Sequence, residues 1–189
     1  MEATNDSKDS KSKACSNYPT DLACDDNFAR SVAREIVPWV QKRYRVTPSP
    51  KRTIVCGLSL GGLMAAFSAL RYPNVFGNVL SQSGSFWYFK GWSMTAPPQP
   101  FGHETGWLAT QYAQSPRLPI KFYLDVGRLE QFIEDNQLIE NRRMRDVLLA
   151  KGYSVTYAET STGHDGLAWR ETLADGLLAL AGHGCHSKC

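Results

Sequence analysis

Short apolar runs alternate with helix-like stretches along most of this 189-residue chain. The strand-like runs span 53–56, 78–81, 120–125 and 154–159, and the helix-like stretches span 28–44, 64–70, 107–114, 135–151 and 166–181. Strands and helices that alternate at this spacing are typical of βαβ units, whose strands are parallel. The sequence therefore predicts an α/β fold with a mostly parallel sheet of about four strands flanked by helices.

The polar ends of the chain suggest its domain boundaries. Residues 1–20 are polar and of low complexity, which predicts a disordered tail. Residues 183–189 follow the last predicted helix and form a second tail. The remaining residues, 21–182, suit one domain, because single domains commonly have 100–200 residues.

Charge and hydropathy exclude several classes of partner. The 21 basic and 18 acidic residues give a net charge of +3, which is too small and too evenly spread to indicate nucleic-acid binding. No apolar run reaches the ~18 residues that a membrane span needs. The N-terminus has no apolar signal-peptide segment, and five cysteines are an odd number. We therefore expect a cytoplasmic protein with reduced thiols and with neither a nucleic-acid nor a membrane partner.

The C-terminal tail holds four soft ligands within seven residues: His183, Cys185, His186 and Cys189. Zinc sites usually draw their ligands from separated clusters that a fold holds in place, whereas this cluster lies at a chain end. We expect a solvated tail, no metal and no cofactor.

Residues 57–61 read Gly-Leu-Ser-Leu-Gly between an apolar strand and a small-residue helix. This setting is typical of a nucleophilic serine raised on a tight turn, which makes Ser59 the candidate nucleophile. The N–H of Leu60, at the start of the helix, could donate to a developing oxyanion. We expect Gly57 and Gly61 to be required because side chains there would collide with the turn. The alternative is a serine-containing βα turn that binds phosphate or nothing.

A base for Ser59 should follow the last strand, since the order in this kind of hydrolytic site is serine, acid, histidine. His164 directly follows the fourth predicted strand and lies 105 residues after Ser59 (164 − 59). His103 lies in a proline-rich excursion, and the two remaining histidines lie in the tail. His164 is therefore the candidate base.

The acid is less well determined by the sequence. Glu130 lies in the loop after the third strand and is preferred over Asp125 at the strand end, with Asp135 third. Each of these carboxylates could instead only cap the helix that follows. Asp165 is adjacent to His164 and is expected to cap the final helix.

Together these residues resemble an esterase family of the α/β hydrolases, and within it the enterobactin (enterochelin) esterases. The resemblance is carried by residues 21–24, 28, 36–39, 57–62, 75–87, 163–165 and 169–170, in the family's order. The run Leu-Ser-Gln-Ser-Gly-Ser-Phe-Trp at 80–87 is more specific than the serine motif itself. The resemblance implies that Ser59 is the nucleophile and His164 the base. It also places Glu130 in the family's Gly-x-x-Glu segment, although some relatives manage with a Ser–His pair.

The chain departs from the family by having only about 50 residues before the serine strand. It looks like the C-terminal part of an esterase domain, with a partial α/β-hydrolase fold. We expect the second oxyanion donor to be missing, a loss that typically costs ~10²–10³ in turnover. The sheet edge left open would favour association or low stability.

The resemblance implies a serine hydrolase of carboxylic esters with an acyl-enzyme intermediate, acting on a small-molecule ester such as an enterobactin-like catecholate trilactone siderophore or its iron complex. Trp87, together with Tyr88, Trp92 and Trp107, could stack on catechol rings, and Lys90 and Arg128 could meet negative charge. The alternatives are an acyltransferase of the same family and a catalytically weak binding protein.

Overall fold

Four parallel strands form a sheet whose spatial order, β1-β2-β3-β4, follows the chain. The computed structural model describes residues 22–92, 106–130 and 137–182. The strands are β1 (Ile54–Leu58), β2 (Asn78–Gln82), β3 (Lys121–Gly127) and β4 (Ser154–Thr160). The helices are α1 (Asp26–Ser31), a π-helical turn (Val32–Ile36), α2 (Val37–Arg43), a 3₁₀ turn (Pro50–Arg52), α3 (Leu60–Arg71), α4 (Trp107–Gln114), α5 (Gln137–Ala150) and α6 (Gly166–Ala181).

The strand register brings the carboxyl ends of the strands to one edge of the sheet. Leu58 in β1 lies beside Gln82 in β2, and Gln82 lies beside Asp125 in β3. Gly127, the last residue of β3, lies beside Thr160, the last residue of β4. Ligand sites in parallel α/β sheets form at this edge, in the loops that follow the strands.

Helices cover the two faces of the sheet unequally. The larger core packs Val79, Phe122 and Leu124 of the sheet against α3, α4 and α5. Alternate strand residues point to the opposite face, where Leu80 and Tyr123 pack against Leu180 of α6. The α6 helix packs mainly against β2 and β3, and the core on its face of the sheet is the smaller one.

The predicted fold class and element order are confirmed. The helices at 107–114 and 166–181 have the predicted bounds, and every strand begins within one residue of its prediction. The first helix differs from a simple amphipathic helix because a π-helical turn ends just before Val37. Pro38 has no N–H to donate and its ring crowds the preceding turn, which accounts for an irregularity at this point.

Some of the expectations lie outside the described residues. These are the two tails, 1–20 and 183–189, with their histidines and cysteines, and also His103 and Asp135. Cys24 and Cys56 are free thiols. No helix in the described ranges is long and apolar enough to cross a membrane. The domain boundaries themselves stay a prediction.

Candidate active site

Ser59 lies on the turn between β1 and α3 in a backbone conformation that is unusual for serine. Its φ is 56° and its ψ is −124°. Its N–H donates to the Gln82 carbonyl at 2.9 Å, and its own carbonyl accepts from the N–H groups of Gly62 and Leu63. These bonds from both sides hold the strained residue in place. The hydroxyl is thereby fixed at the carboxyl edge of the sheet.

Of the two glycines that flank Ser59 in the motif, only Gly57 is required for the reason expected. A Cβ at Gly57 would lie 2.1 Å from the Gly61 carbonyl oxygen, so glycine is required there. A Cβ at Gly61 would meet nothing within 4 Å, so the expectation that a side chain at Gly61 collides with the turn is wrong. Its backbone, rather than its missing side chain, crowds Gly57. Gly62 is the second restricted position, since a Cβ there would lie 2.5 Å from Ser81 Oγ.

His164 meets Ser59 from the loop after β4. Its Nε2 lies 3.0 Å from Ser59 Oγ, which is hydrogen-bonding distance. The imidazole packs at a ring-centroid distance of 4.8 Å, nearly perpendicular, against Trp169 in the first turn of α6. The ring is therefore oriented both by a bond at Nε2 and by packing.

Glu130 completes a line of three side chains. Its Oε2 lies 2.7 Å from His164 Nδ1, and its side chain is fully buried. Its other oxygen, Oε1, accepts from the Gly127 N–H at 2.7 Å and from the Ser83 hydroxyl at 2.5 Å. Three donors on one buried carboxylate satisfy it as an anion and leave Oε2 aimed at the imidazole.

Asp125 has hydrogen-bond partners other than the imidazole. It lies inside β3, two residues before the strand ends, and it is buried. Burial raises the pKa of Asp125 to about 6, an effect that hydrogen bonds with Thr172 and Gln82 oppose. Its carboxyl group therefore faces α6 and β2. Asp165 caps α6, as expected, by accepting from Leu167 N–H and Ala168 N–H.

Two donors lie near the Ser59 hydroxyl. Leu60 is the first residue of α3, so its N–H has no acceptor within the helix and lies next to Ser59. The Ser85 hydroxyl lies 3.5 Å from Ser59 Oγ, and the Ser85 N–H donates to the Ser59 carbonyl. The absence of a second oxyanion donor stays a prediction.

The three expected substrate-binding residues lie at different places. Arg128 is in the turn between β3 and Glu130, and it donates to Ser161 in the loop that carries His164. Trp87 packs edge-on against Trp92 and against the larger core. Lys90 lines a cavity of about 400 Å³ beside the C-terminal half of α3, whereas Ser59 precedes that helix. The geometry brings Arg128 to the candidate site but not Lys90.

Sequence reasoning assigned no role to Ser83, Ser85 or Trp169. All three contact members of the line Ser59–His164–Glu130. The specific run at 80–87 and the Trp-Arg pair at 169–170 marked their positions without indicating what they do. Among the described residues, no group of three His, Cys, Asp or Glu side chains is arranged to hold a metal ion.

Comparison with known proteins places this geometry in a family. The family model described as "Putative esterase" matches residues 2–180. The iron(III) enterobactin esterase of Dickeya dadantii is 35% identical over 162 residues, which cover 85% of this chain and 36% of that protein.

Solved structures give the same result. The enterochelin esterase of Shigella flexneri superimposes with a TM-score of 0.71 at 28% identity, covering 88% of this chain and 40% of that one. The enterobactin esterase of the same organism, crystallised in the presence of enterobactin, has a TM-score of 0.68 at 29% identity and covers 85% of this chain and 38% of that one. The chain thus spans well under half the length of these relatives. It belongs to this esterase family and shares the α/β-hydrolase fold of its members.

Proposed function

We propose that the protein is a serine esterase that hydrolyses carboxylic esters through an acyl-enzyme. The observation that carries the proposal is the unbroken line of contacts from Ser59 Oγ to His164 Nε2 at 3.0 Å and from His164 Nδ1 to Glu130 Oε2 at 2.7 Å. A nucleophile, a base and a group that orients the base are the parts that this chemistry needs. Membership of the esterase family supports the assignment.

In the first half of the reaction Ser59 Oγ attacks the ester carbonyl while His164 Nε2 takes the hydroxyl proton. The carbonyl π electrons move onto oxygen, and the Leu60 N–H donates to that oxyanion. Glu130 stays ionised and stabilises the imidazolium. Collapse of the intermediate breaks the ester C–O bond, and His164 gives its proton to the departing alcohol.

In the second half water replaces the alcohol. His164 Nε2 takes a proton from water while the water oxygen attacks the acyl carbonyl carbon. The tetrahedral intermediate then expels Ser59 Oγ, which recovers its proton from His164. The products are one carboxylic acid and one alcohol, and the enzyme returns to its starting protonation state.

The substrate class we propose is a catecholate trilactone siderophore or its iron complex. The relatives named as iron(III) enterobactin esterases support this class. Arg128 precedes Glu130 by two residues and donates to Ser161 in the loop that carries His164, so its guanidinium could meet a negatively charged catecholate there. Trp87, two residues after Ser85 and half-buried against Trp92, offers a ring on which a catechol could stack.

The nucleophile is tested with a fluorophosphonate probe on the purified protein. Reaction forms a P–O bond to Ser59, expels fluoride and transfers the hydroxyl proton to His164. We expect stoichiometric labelling of the parent and none of Ser59→Ala, together with loss of p-nitrophenyl butyrate hydrolysis in that variant. Ser68→Ala, a buried serine on α3 far from the site, is the matched control. Equal labelling or hydrolysis in Ser59→Ala and the parent would remove Ser59 from the mechanism.

The base is tested by coupling. We expect His164→Ala to lower kcat by a factor similar to that of Ser59→Ala, because nucleophile and base act as a unit and their losses do not add. The measurement is the kcat of the two single variants and the double variant on the same p-nitrophenyl ester. A double variant much slower than either single variant would contradict the coupling.

The substrate class is tested separately from the chemistry. Opening of the enterobactin ring, with and without bound iron, is followed by chromatography of the released acids. We expect opening by the parent and a higher KM in Arg128→Ala at unchanged kcat. If the parent hydrolyses p-nitrophenyl esters but opens neither form of the ring, the siderophore assignment is wrong while the esterase assignment stands.

A further inference from the structure

Ser83 follows β2 in a conformation that serine rarely adopts. Its φ is 48°, and its side chain is buried. Its N–H donates to the Asp125 carbonyl at 2.8 Å, and its carbonyl accepts from the Gln137 side chain in α5. A strained backbone that is held from both sides usually places a side chain for a purpose.

The Ser83 hydroxyl lies between two side chains that contact His164. It donates to Glu130 Oε1 at 2.5 Å and accepts from the Trp169 indole N–H at 2.9 Å. The direction of both bonds follows from chemistry, because an indole N–H can only donate and a carboxylate can only accept. The single hydroxyl hydrogen of Ser83 is therefore committed to Glu130.

Trp169 contacts the imidazole directly. Its ring stands nearly perpendicular to that of His164, at an interplanar angle of 86°. Trp169 thus touches the base by packing and touches the acid through Ser83. The four side chains form a closed loop of contacts: His164, Glu130, Ser83 and Trp169.

We propose that Ser83 and Trp169 are positioning residues that hold the Glu130 carboxylate and the His164 imidazole in the geometry needed for catalysis. The proposal rests on the proposed esterase function and goes beyond it, because it gives a role to two residues outside the line Ser59–His164–Glu130. With Oε1 held by Ser83 and by the Gly127 N–H, the carboxylate cannot turn, and Oε2 stays on His164 Nδ1. The imidazole is then kept in the tautomer and orientation that direct Nε2 to Ser59.

Loss of the Ser83 hydroxyl has two consequences. Glu130 keeps one donor on Oε1 instead of two and gains freedom to rotate, and the indole N–H of the half-buried Trp169 loses its acceptor. A displacement of about 1 Å at a reacting group costs on the order of 10²-fold in rate. The effect should appear in kcat rather than in KM, because substrate contacts are unchanged.

The test uses Ser83→Ala and Trp169→Phe, with Ser68→Ala and Trp39→Phe as controls that lie on α3 and α2. We expect Ser83→Ala to lower kcat on p-nitrophenyl butyrate by about 10- to 100-fold at unchanged KM. Loss of the residues that orient metal-binding histidines has an effect of this size. Trp169→Phe keeps an aromatic ring against His164 and should lose less, because the Ser83 hydroxyl still donates to Glu130. The controls should keep the parent kcat.

A double variant separates positioning from general destabilisation. If Ser83 acts through Glu130, Ser83→Ala should cause no further loss of kcat in a Glu130→Gln background. An undiminished further loss there would overturn the proposal. So would parent kcat in both single variants, including the case in which only their melting temperatures fall.

Failure of this proposal is distinguishable from failure of the proposed function. Ser59→Ala is measured on the same ester and with the same fluorophosphonate probe. Parent activity in Ser59→Ala would overturn both proposals. An inactive Ser59→Ala beside a fully active Ser83→Ala would overturn the positioning role alone.

Discussion

At the scale of single residues, the buried carboxyl group of Asp125 should make stability depend on pH. Burial raises the pKa of Asp125 from 3.8 to about 6. Because the folded protein keeps this proton to a higher pH than the unfolded chain, the group's contribution to the free energy of unfolding is fully present below pH 3.8. That contribution is lost as the pH rises through about 6.

Urea unfolding of Asp125→Asn and the parent over this pH range measures the effect. As the pH rises from acid to neutral, the free energy of unfolding of Asp125→Asn should rise by about 3 kcal/mol relative to that of the parent. This figure follows from the pKa shift of Asp125 at ~1.4 kcal/mol for each pKa unit. Asp146→Asn, at a mostly exposed carboxylate, is the matched control and should follow the parent. Parallel stability curves for Asp125→Asn and the parent would contradict the raised pKa.

Glu130 and Asp125 should differ in how much their loss lowers kcat. We expect Glu130→Gln to keep the fold and to lower kcat by about 10²–10⁴, as loss of the orienting acid does in known triads. Asp125→Asn should have a smaller effect, because its carboxyl group faces Gln82 and Thr172. The measurement is kcat at neutral pH on one p-nitrophenyl ester. The reverse ranking would make Asp125 the acid, and two losses within about tenfold would indicate a Ser–His dyad.

The sequence could indicate Ser59 and His164 because each is defined by its place relative to a strand. The acid is harder to predict, because Asp125 lies near the end of β3 and Glu130 follows that strand, and only tertiary packing decides which of them reaches the imidazole. Ser83 and Trp169 had no chemical signature of their own. Their contacts depend on how α6 lies across the ends of β2 and β3, which no local pattern encodes.

At the scale of elements, the turn between β1 and α3 depends on one of its glycines more than on another. A Cβ at Gly57 would lie 2.1 Å from a backbone oxygen, so Gly57→Ala must displace the turn and should cost about 1–3 kcal/mol, with loss of fluorophosphonate labelling. Gly61→Ala meets open space inside a helix and should be neutral or stabilising by up to about 1 kcal/mol. Urea unfolding and labelling of the two variants form a matched pair. Equal effects in both would contradict this account.

The element bounds show where local patterns suffice. Strand positions followed from runs of apolar residues, and α6 began at its aspartate cap as expected. The α3 helix begins at Leu60, as the serine motif indicates, whereas the helix-like stretch read from residue type begins only at residue 64 because Gly61 and Gly62 are poor helix formers. The strand–turn–helix geometry around Ser59 outweighs that propensity.

At the scale of the whole molecule, the two edges of the sheet differ in chemistry. Beside β4, Arg142 binds Glu159 and Arg145 lies over the Tyr157 ring, so charge protects that edge. Strand β1 carries no charged residue, and within the described ranges it pairs with β2 alone. Cys56 and Leu58 of this strand are exposed. An unprotected apolar edge strand is a template for further pairing.

We therefore expect the chain to associate with a second copy through β1. Sedimentation velocity under reducing conditions should show the sedimentation coefficient of the parent rising with protein concentration. Cys56→Lys places a charge on the edge and should stay monomeric, whereas Cys56→Ser removes the thiol without adding charge and should associate like the parent. A parent that stays monomeric at all concentrations, or a lysine variant that associates equally well, would show that this edge is not the contact. Because β1 leads directly into Ser59, association should also change the rate of fluorophosphonate labelling. That rate should therefore vary with protein concentration in the parent and in Cys56→Ser, and it should be constant in Cys56→Lys.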